Sequence, residues 1–422
     1  LVDRTIGMLS LGYDITDNLN FRVRSSIDRQ SSYGEQRRYN DTYIVADNGY
    51  YEKNDQRWSE WNTDAFLNYK NEFFDGDWSL DATIGGNIRR NEFSRTTVFP
   101  TRDGLNVPNL FAISNFAVAA ASEDFSKREV QSLFGFATIG WKNAIFLDVT
   151  ARNDWSSTLP ETNWSYFYPS FGLTAVVSDL VALPDWWTFL KVRGNWAQVG
   201  NDTDPYQIVR TANVSGGGSG GFLQLSTQVP AADLRPEETT STELGVDLRF
   251  FENRLGLDFT WYKSNSTDQL FAQQIPTPSG ASSVFINGAD IQNEGIELAL
   301  TATPVRSGDF SWDLYFNYGS NESEVVELAE GLTQLRVGGA DFMRQFQLIV
   351  GREWGEVYSR GFGRDDQGRI IVDDLGLPTV TPGLSVPVAN FNPDWLGGFG
   401  NTFRYKNLSL SFLIDHRQGG TV

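Results

Sequence analysis

The stretch RFFENRLGLDFTWYKS, residues 249–264, joins two alternating runs through the short polar turn Glu252–Arg254, and the first of these runs begins before residue 249. In each run every second residue is apolar, and the residues between are polar or small. The apolar positions are Leu244, Val246, Leu248 and Phe250 before the turn, and Leu255, Leu257, Phe259 and Trp261 after it. A period of two predicts a β-hairpin with one apolar and one polar face. The apolar face must meet either a protein core or lipid.

The same hairpin pattern recurs along the chain. Six further pairs of alternating runs flank turns near residues 16–18, 71–77, 142–143, 178–186, 305–309 and 406–407. Seven hairpins predict about fourteen antiparallel strands in an all-β fold.

Strand length and loop length favour lipid over a protein core. The alternating runs extend over about ten residues, which is longer than an ordinary globular strand and sufficient to cross a bilayer at a tilt. The connections between hairpins are long, at 29–57, 91–128, 200–239, 263–290 and 320–394. Short turns at one rim and long loops at the other predict a transmembrane, antiparallel, up-and-down β-barrel, with short periplasmic turns and long extracellular loops. A soluble β-sandwich remains the alternative, because its strands alternate too.

Composition excludes several other classes of protein. A net charge of −19 argues against nucleic-acid binding, which requires clustered Lys and Arg. There is no apolar run of eighteen residues, so no transmembrane helix is predicted. With no Cys, disulfides and thiolate chemistry are excluded.

The alternation also predicts which charged residues face the interior of such a barrel. Their expected role is to pair with each other across a wet lumen, and contact with a passing substrate is the sharper hypothesis for some of them. The residues favoured for substrate contact are Lys191, Arg193, Asn195, Glu243, Asp247, Arg249 and Asp258, and further inward-facing positions are Arg22, Arg24, Arg89, Asp148 and Arg152.

Aromatic residues near the long loops form a second candidate set. Such rings can stack on sugars or contact a covering protein, and Trp and Tyr also mark the lipid headgroup belt. The sequence does not separate these roles for Trp155, Trp164, Tyr166, Tyr168 and Tyr206.

Signals for enzymatic chemistry are weak. Residues 217–221, GGSGG, match the G-x-S-x-G pattern of hydrolases around Ser219, but no buried strand precedes them and no helix follows. A loop tip is therefore favoured. His416 is the only His, which leaves no His-based triad or multi-His metal site within this sequence. We predict no catalytic residues and no enzymatic activity.

Paired acidic residues raise the question of a Ca²⁺ site. The pairs are Asp202/Asp204, Asp365/Asp366 and Asp373/Asp374. None has the ligand spacing of a Ca²⁺-binding loop, so solvated carboxylates are favoured over a bound ion. We predict no cofactor, with Ca²⁺ in a loop as the alternative, and a small hairpin over 363–374 turning at 366–368.

Five ordered segments resemble one known family. They are 151–180, 234–271, KVRGNWAQVGNDTDPY (191–206), NGADIQNEGIELALTATP (287–304) and FNPDWLGGFGNTFRYKNLSLSFLIDHRQGG (391–420). Together they resemble the SusC/RagA-like TonB-dependent transporters, whereas residues 1–150 share only the hairpin pattern.

The resemblance implies part of a plugged barrel of roughly 22 strands in the outer membrane of a Gram-negative bacterium. It implies import of a large nutrient, an oligosaccharide or a peptide, with a SusD-like surface lipoprotein as a lid and energy supplied through TonB. Residues 1–422 would then be a partial barrel domain, and we expect the plug, the TonB-contacting segment and roughly eight more strands to lie outside them. An outer-membrane adhesion or scaffold barrel without transport is the alternative.

Overall fold

The structure is a computed structural model, which describes residues 1–42, 48–100, 104–215, 221–337 and 344–421. The described chain is all-β, apart from three 3₁₀ turns at Ile113–Asn115, Val177–Asp179 and Thr277–Ser279. Across the described ranges, no helix has the length and hydropathy needed to span a bilayer.

Fourteen strands form one antiparallel up-and-down sheet, which confirms the predicted fold class and strand number. In sheet order the strands are β1 Val2–Thr16, β2 Leu19–Arg38, β3 Tyr50–Phe73, β4 Trp78–Pro100, β5 Ala119–Trp141, β6 Ile145–Ser156, β7 Ser165–Val176, β8 Trp187–Asn201, β12 Glu237–Phe250, β13 Leu255–Thr267, β16 Ala289–Ser307, β17 Phe310–Leu328, β22 Pro393–Tyr405 and β23 Leu408–Gly419.

In the described parts of the connections, nine short strands form three small sheets. β9 Ala212–Ser215 pairs with β10 Phe222–Leu225. The second sheet joins β11 Gln228–Val229, β14 Leu270–Gln274 and β15 Ser283–Asn287. The third consists of β18 Gln334–Arg336, β19 Arg344–Ile349, β20 Glu356–Ser359 and β21 Val386–Asn390.

The chain divides into two compact units. The first comprises residues 1–70, 82–135 and 152–165, and the second comprises 71–81, 136–151 and 166–422.

In the second unit, the strand register aligns the apolar positions into rows that run across the sheet. One row crosses seven strands, because each residue pairs with the next: Leu190, Leu248, Leu257, Leu300, Phe316, Phe399 and Ile414. The adjacent row on the opposite face is Lys191, Asp247, Asp258, Ala299, Asn317, Gly398 and Asp415. The hairpin at 249–264 is therefore confirmed, with its polar residues and its apolar residues on opposite faces of one sheet.

The apolar face of this sheet is not a packed core. Many of its large side chains are exposed, including Leu173, Leu244 and Ile414, which are 54–58% exposed. Leu257, Phe259 and Phe316 are only partly buried. Exposed apolar surface on this scale is typical of a surface that meets lipid or another protein.

The strands of the fourteen-stranded sheet are longer than predicted. They run from 12 residues in β6, β7 and β23 to 24 residues in β3, where about ten were expected. Much of the predicted loops 29–57 and 91–128 is strand. In the first, β2 extends to Arg38 and β3 begins at Tyr50; in the second, β4 extends to Pro100 and β5 begins at Ala119. Alternation fails as a signal there because polar residues lie on both faces.

The buried cores lie beyond the apolar rows. In the second unit, Ala289, Ile291, Val325, Leu328, Leu335 and Leu348 form one cluster, against which Trp354 packs. In the first unit, Tyr51, Leu105 and Phe116 form another. These clusters stabilise the long connections as folded structures.

Candidate functional site

The polar face of β8, β12 and β13 carries all seven charged or amide residues favoured for substrate contact. Strand pairing places Lys191 opposite Asp247, and Asp247 in turn opposite Asp258. One row further along the strands, Arg193 lies opposite Gly245. The predicted set therefore shares one face, as period-two alternation requires.

Arg193 and Asp258 form the strongest contact in this group. The guanidinium donates two hydrogen bonds to the carboxylate, at 2.7 and 3.1 Å, and a third to the Thr260 hydroxyl at 2.6 Å. To reach β13 from β8, Arg193 crosses β12 over Gly245, where a Cβ would lie 2.5 Å from its Nε. Glycine at 245 thus makes room for the ion pair, which is bidentate and partly shielded from solvent.

Asp247 is shared between two cations on the same face. Lys191 Nζ lies 3.7 Å from its carboxylate, and Arg249 donates to it at 3.4 Å. The Arg249 guanidinium also lies 4.8 Å from the centre of the Phe189 ring, in a cation–π contact. Five of the seven predicted residues therefore form two neighbouring groups of ion pairs, Arg193–Asp258 and Lys191–Asp247–Arg249.

The remaining two residues, Asn195 and Glu243, lie opposite each other one step beyond Arg193. On the neighbouring strand β13, Tyr262 lies opposite Glu243. The Tyr262 hydroxyl donates a hydrogen bond to the side-chain oxygen of Asn321 at 3.0 Å. The polar face thus continues past the ion pairs as a surface of amide, hydroxyl and carboxylate groups. Such groups can bind sugar hydroxyls or peptide amides without chemical change.

Other predicted inward-facing residues also have polar partners. Arg24 forms a salt bridge with Asp64 at 2.7 Å, and Arg152 contacts both Asp154 and Ser132 at 2.7 Å. Asp148 accepts a hydrogen bond from Thr138 at 2.5 Å. Arg22 is exposed and Arg89 is partly buried.

The loop aromatics fall into both units. In the first, Trp155 is partly buried and Trp164 is exposed. In the second, Tyr166 and Tyr168 stack with ring centres 6.0 Å apart, and Tyr166 packs closely on Gly200. Tyr206 is 44% exposed and adopts a positive φ of 67°. Trp164 and Tyr206 are the rings in this set that are most available to a ligand.

Sequence analysis missed a polar cluster at the end of β2 and the start of β3. Glu35 accepts hydrogen bonds from the Tyr33 hydroxyl at 2.8 Å, the Tyr51 hydroxyl at 2.9 Å and Arg37 at 2.5 Å. These donors, Tyr33 first, lower the pKa of Glu35 from 4.5 to about 2. Tyr33, Glu35 and Arg37 follow a two-residue spacing, but residues 29–38 contain no alternating apolar residues, so the sequence predicts a loop there.

In two of the acidic pairs the first carboxylate, that of Asp365 or Asp373, accepts hydrogen bonds from its own turn. Asp365 accepts hydrogen bonds from the backbone N–H groups of Gln367 and Arg369 and from the Arg369 side chain, which lowers its pKa. Asp373 binds the N–H groups of Leu375 and Leu377 in the same way. The bridge between Arg364 and Ile370 confirms the predicted hairpin.

Within the described ranges, no three His, Cys, Asp or Glu side chains are placed to hold a metal ion. Ca²⁺ in a loop therefore gains no support here and stays the untested alternative. His416 contacts Gln418 at 3.3 Å and packs on Trp395. Ser219 lies outside the described residues.

Comparison with known proteins identifies the family to which this sheet belongs. The profile described as "TonB dependent receptor-like, beta-barrel" matches residues 1–413. The chain belongs to this family. Its members are outer-membrane proteins of Gram-negative bacteria with receptor and transport roles, and the family is not an enzyme family.

Individual relatives support the family assignment. TonB-dependent receptor P3 of Formosa agariphila is 27% identical over 335 residues, covering 71% of this chain and 33% of that protein. TonB-dependent receptor SusC of Bacteroides thetaiotaomicron is 24% identical over 317 residues, covering 68% of this chain and 31% of that protein. The chain thus spans about a third of the length of these curated relatives.

Solved structures confirm the TonB-dependent receptor fold. The structure of the RagAB peptide transporter superposes with a TM-score of 0.77 at 18% identity, over 98% of this chain and 48% of that chain. At this identity the likeness establishes the barrel architecture alone. The resemblance to SusC and RagA-like proteins inferred from sequence is confirmed.

Proposed function

We propose that the chain forms much of the barrel wall of an outer-membrane importer for a large nutrient, an oligosaccharide or a peptide. The main observation that supports this proposal is that the sheet has continuous apolar rows on one face and ion-paired rows on the other. In a bilayer the apolar rows would face lipid, and the paired charges would face water.

A surface lipoprotein of the SusD kind would cover the extracellular mouth, and TonB would supply energy through a segment outside these residues. The names of the relatives support this proposal, since one is SusC and another is part of the RagAB peptide transporter. The folded long connections, with their own buried clusters, offer a stable rim on which a lid could dock.

The polar face would serve as part of the path. In ion pairs such as Arg193–Asp258 the charges neutralise each other, so they would not hold a substrate tightly. Hydrogen-bonding groups for the substrate would come from Asn195, Glu243 and Tyr262. Exposed rings such as Trp164 and Tyr206 would make the first contacts. No covalent chemistry on the substrate is required.

The test is deletion of the full-length protein in its host, followed by growth on single glycans and on defined peptides. We expect loss of growth on one class, restoration by the wild-type gene, and co-purification of one surface lipoprotein. A deletion strain that grows normally on every substrate, although the parent strain carries the protein in its outer membrane, would favour the adhesion or scaffold alternative.

The role of the exposed loop rings in substrate contact is tested separately. Trp164→Ala and Tyr206→Ala in the full-length protein should reduce uptake at low substrate concentration more than at saturation, since both rings are placed to make initial contacts. Trp78→Ala, at the opposite rim beside Trp141, is the matched control. Equal effects of all three changes would contradict a substrate role for the loop rings.

A further inference from the structure

In the first unit, the apolar face of β1, β2 and β3 ends abruptly. From the 17–18 turn upward, successive rows on this face are Tyr13/Phe21/Leu67, Leu11/Val23/Ala65, Leu9/Ser25/Thr63 and Gly7/Ile27/Trp61. In the one polar row among them, the Ser25 and Thr63 hydroxyls bond to each other at 2.9 Å. The next row is Thr5/Arg29/Ser59 and the one after it is Asp3/Ser31/Arg57.

The change from apolar to charged residues on this face occurs where the hydrocarbon layer of a bilayer would end. Arg29 lies ten residues beyond Leu19, the first residue of β2. At ~3.3 Å per residue that is about 33 Å along the strand. A tilt of roughly 40° reduces it to about 25 Å, the height of the apolar band of a membrane barrel. Trp61, 52% exposed, lies at the position of an interfacial aromatic.

A groove of about 340 Å³ lies at this boundary. We call it the boundary groove, and its principal lining residues are Ile27, Arg29, Arg57, Trp61, Glu92 and Phe125. Its lower part is apolar, with Ile27 next to the Trp61 ring, and Phe125 is 58% exposed. Its upper part carries the two guanidinium groups.

Cations and carboxylates both surround the groove, since Asp3 shares a row with Arg57. Arg57 Nε lies 3.2 Å from Asp55, and Lys127 pairs with the lining residue Glu92 at 2.9 Å. Among the residues that the structure describes, Arg29 has no carboxylate within 4 Å. Both arginines are exposed, so they can reorient toward a ligand.

We propose that the boundary groove binds the phosphate headgroup of an outer-leaflet lipid. Arg29 and Arg57 would hold the phosphate through paired N–H donors, and the acyl chains would pack on Ile27, Trp61 and Phe125. A soluble anion would use only the charged half of the groove, whereas an anionic lipid uses both halves. The inference rests on the outer-membrane part of the proposed function and is independent of the substrate.

The test uses the full-length protein purified in detergent and bisphosphorylated lipid A as the probe, with binding measured by native mass spectrometry and by titration. We expect Arg29→Gln/Arg57→Gln to weaken binding at least tenfold. Arg29→Lys/Arg57→Lys should retain a substantial part of the lipid binding, because Lys keeps the positive charge. Binding should still be weaker than in the wild type, because Lys lacks the planar guanidinium that donates paired hydrogen bonds. Dephosphorylated lipid A should bind the wild type at least tenfold more weakly.

The matched control is Arg95→Gln. Arg95 follows the groove residue Ser94 on β4, so its side chain lies on the opposite face, where it pairs with Asp124 at 2.5 Å. We expect unchanged lipid binding in this variant.

Three results would overturn the inference. They are equal lipid A binding by the wild type and Arg29→Gln/Arg57→Gln, equal binding of dephosphorylated lipid A, or equally tight binding of inorganic phosphate alone. Nutrient uptake measured with the same variants distinguishes this failure from failure of the transport proposal. Lipid binding can be lost while uptake persists, and uptake of every substrate can prove absent while lipid binding holds.

Discussion

At the scale of single residues, the bidentate contact between Arg193 and Asp258 joins strands β8 and β13 across β12. Because the Asp258 side chain is 42% exposed, solvent screens the pair, and its expected contribution is only about 1 kcal/mol. A double-mutant cycle of Arg193→Ala and Asp258→Ala in the full-length protein, measured by urea unfolding, should give a coupling energy of that size.

The control for this cycle is Lys406 and Asp309, which lie 3.7 Å apart with side chains at least 60% exposed. Their coupling energy should be close to zero, because an exposed pair without direct hydrogen bonds contributes little. Equal coupling in the two pairs would show that Arg193 and Asp258 do not interact as described.

Glu35 makes stability depend on pH outside the membrane-spanning rows. Its pKa is about 2 in the folded protein and 4.5 ordinarily, so its carboxylate stabilises the fold above pH 4.5. That contribution should be lost as the pH falls from about 5 to about 2, because the unfolded state then binds more protons.

The check is the thermal midpoint of the wild type and of Glu35→Gln at pH values from 7 to 2. The difference between them should shrink as the pH falls across this window. Tyr33→Phe and Tyr51→Phe each remove one donor and should weaken the same pH dependence. A difference that stays constant with pH would contradict the lowered pKa.

At the scale of strands, glycines on the polar face decide how closely β16 and its neighbours approach. A Cβ on Gly295 would collide with the carbonyl oxygen of Ser320 on β17 and lie 2.5 Å from the Tyr262 hydroxyl. Gly295→Ala must therefore displace backbone and should lower the free energy of unfolding by about 1–3 kcal/mol.

Gly319 provides a matched comparison on β17. A Cβ there meets nothing within 4 Å, so Gly319→Ala should leave stability unchanged or raise it by up to about 1 kcal/mol. Unfolding of both variants in the same detergent measures the contrast. If Gly319→Ala proved as costly as Gly295→Ala, close strand approach would not be the cause.

Strands also show which parts of the fold local sequence can predict. The hairpin at 249–264 was predictable because Leu248 and Leu257 alternate with polar neighbours and the turn is short. The outer part of β2 was not, since Gln36 and Arg37 offer no apolar face.

Contacts between distant segments were equally hidden. Ile291 and Leu348 share a buried cluster although 57 positions separate them, and alternation carries no information about such packing. For the candidate site, the alternation of residues along β8 predicted which face holds Arg193. Only the strand register in the structure showed that its partner is Asp258, 65 positions away.

At the scale of the whole molecule, the proposed function requires that one face of the sheet touch lipid. Phe316 and Asn317 are neighbours on β17 whose side chains lie on opposite faces, in the apolar and the polar row respectively. An Arg on a lipid-facing position near the middle of the bilayer costs about 2–4 kcal/mol, whereas a wet lumen accepts it.

Phe316→Arg in the full-length protein should therefore lower stability by about that amount and reduce the folded protein in the outer membrane. Asn317→Arg should change both much less, and Phe316→Leu separates the effect of charge from loss of the ring. Unfolding in lipid vesicles and the quantity of folded protein in membrane fractions are the measurements. If Asn317→Arg were as damaging as Phe316→Arg, the two faces would not differ in environment. The apolar rows would then have to be covered by protein, as in a sandwich, rather than by lipid.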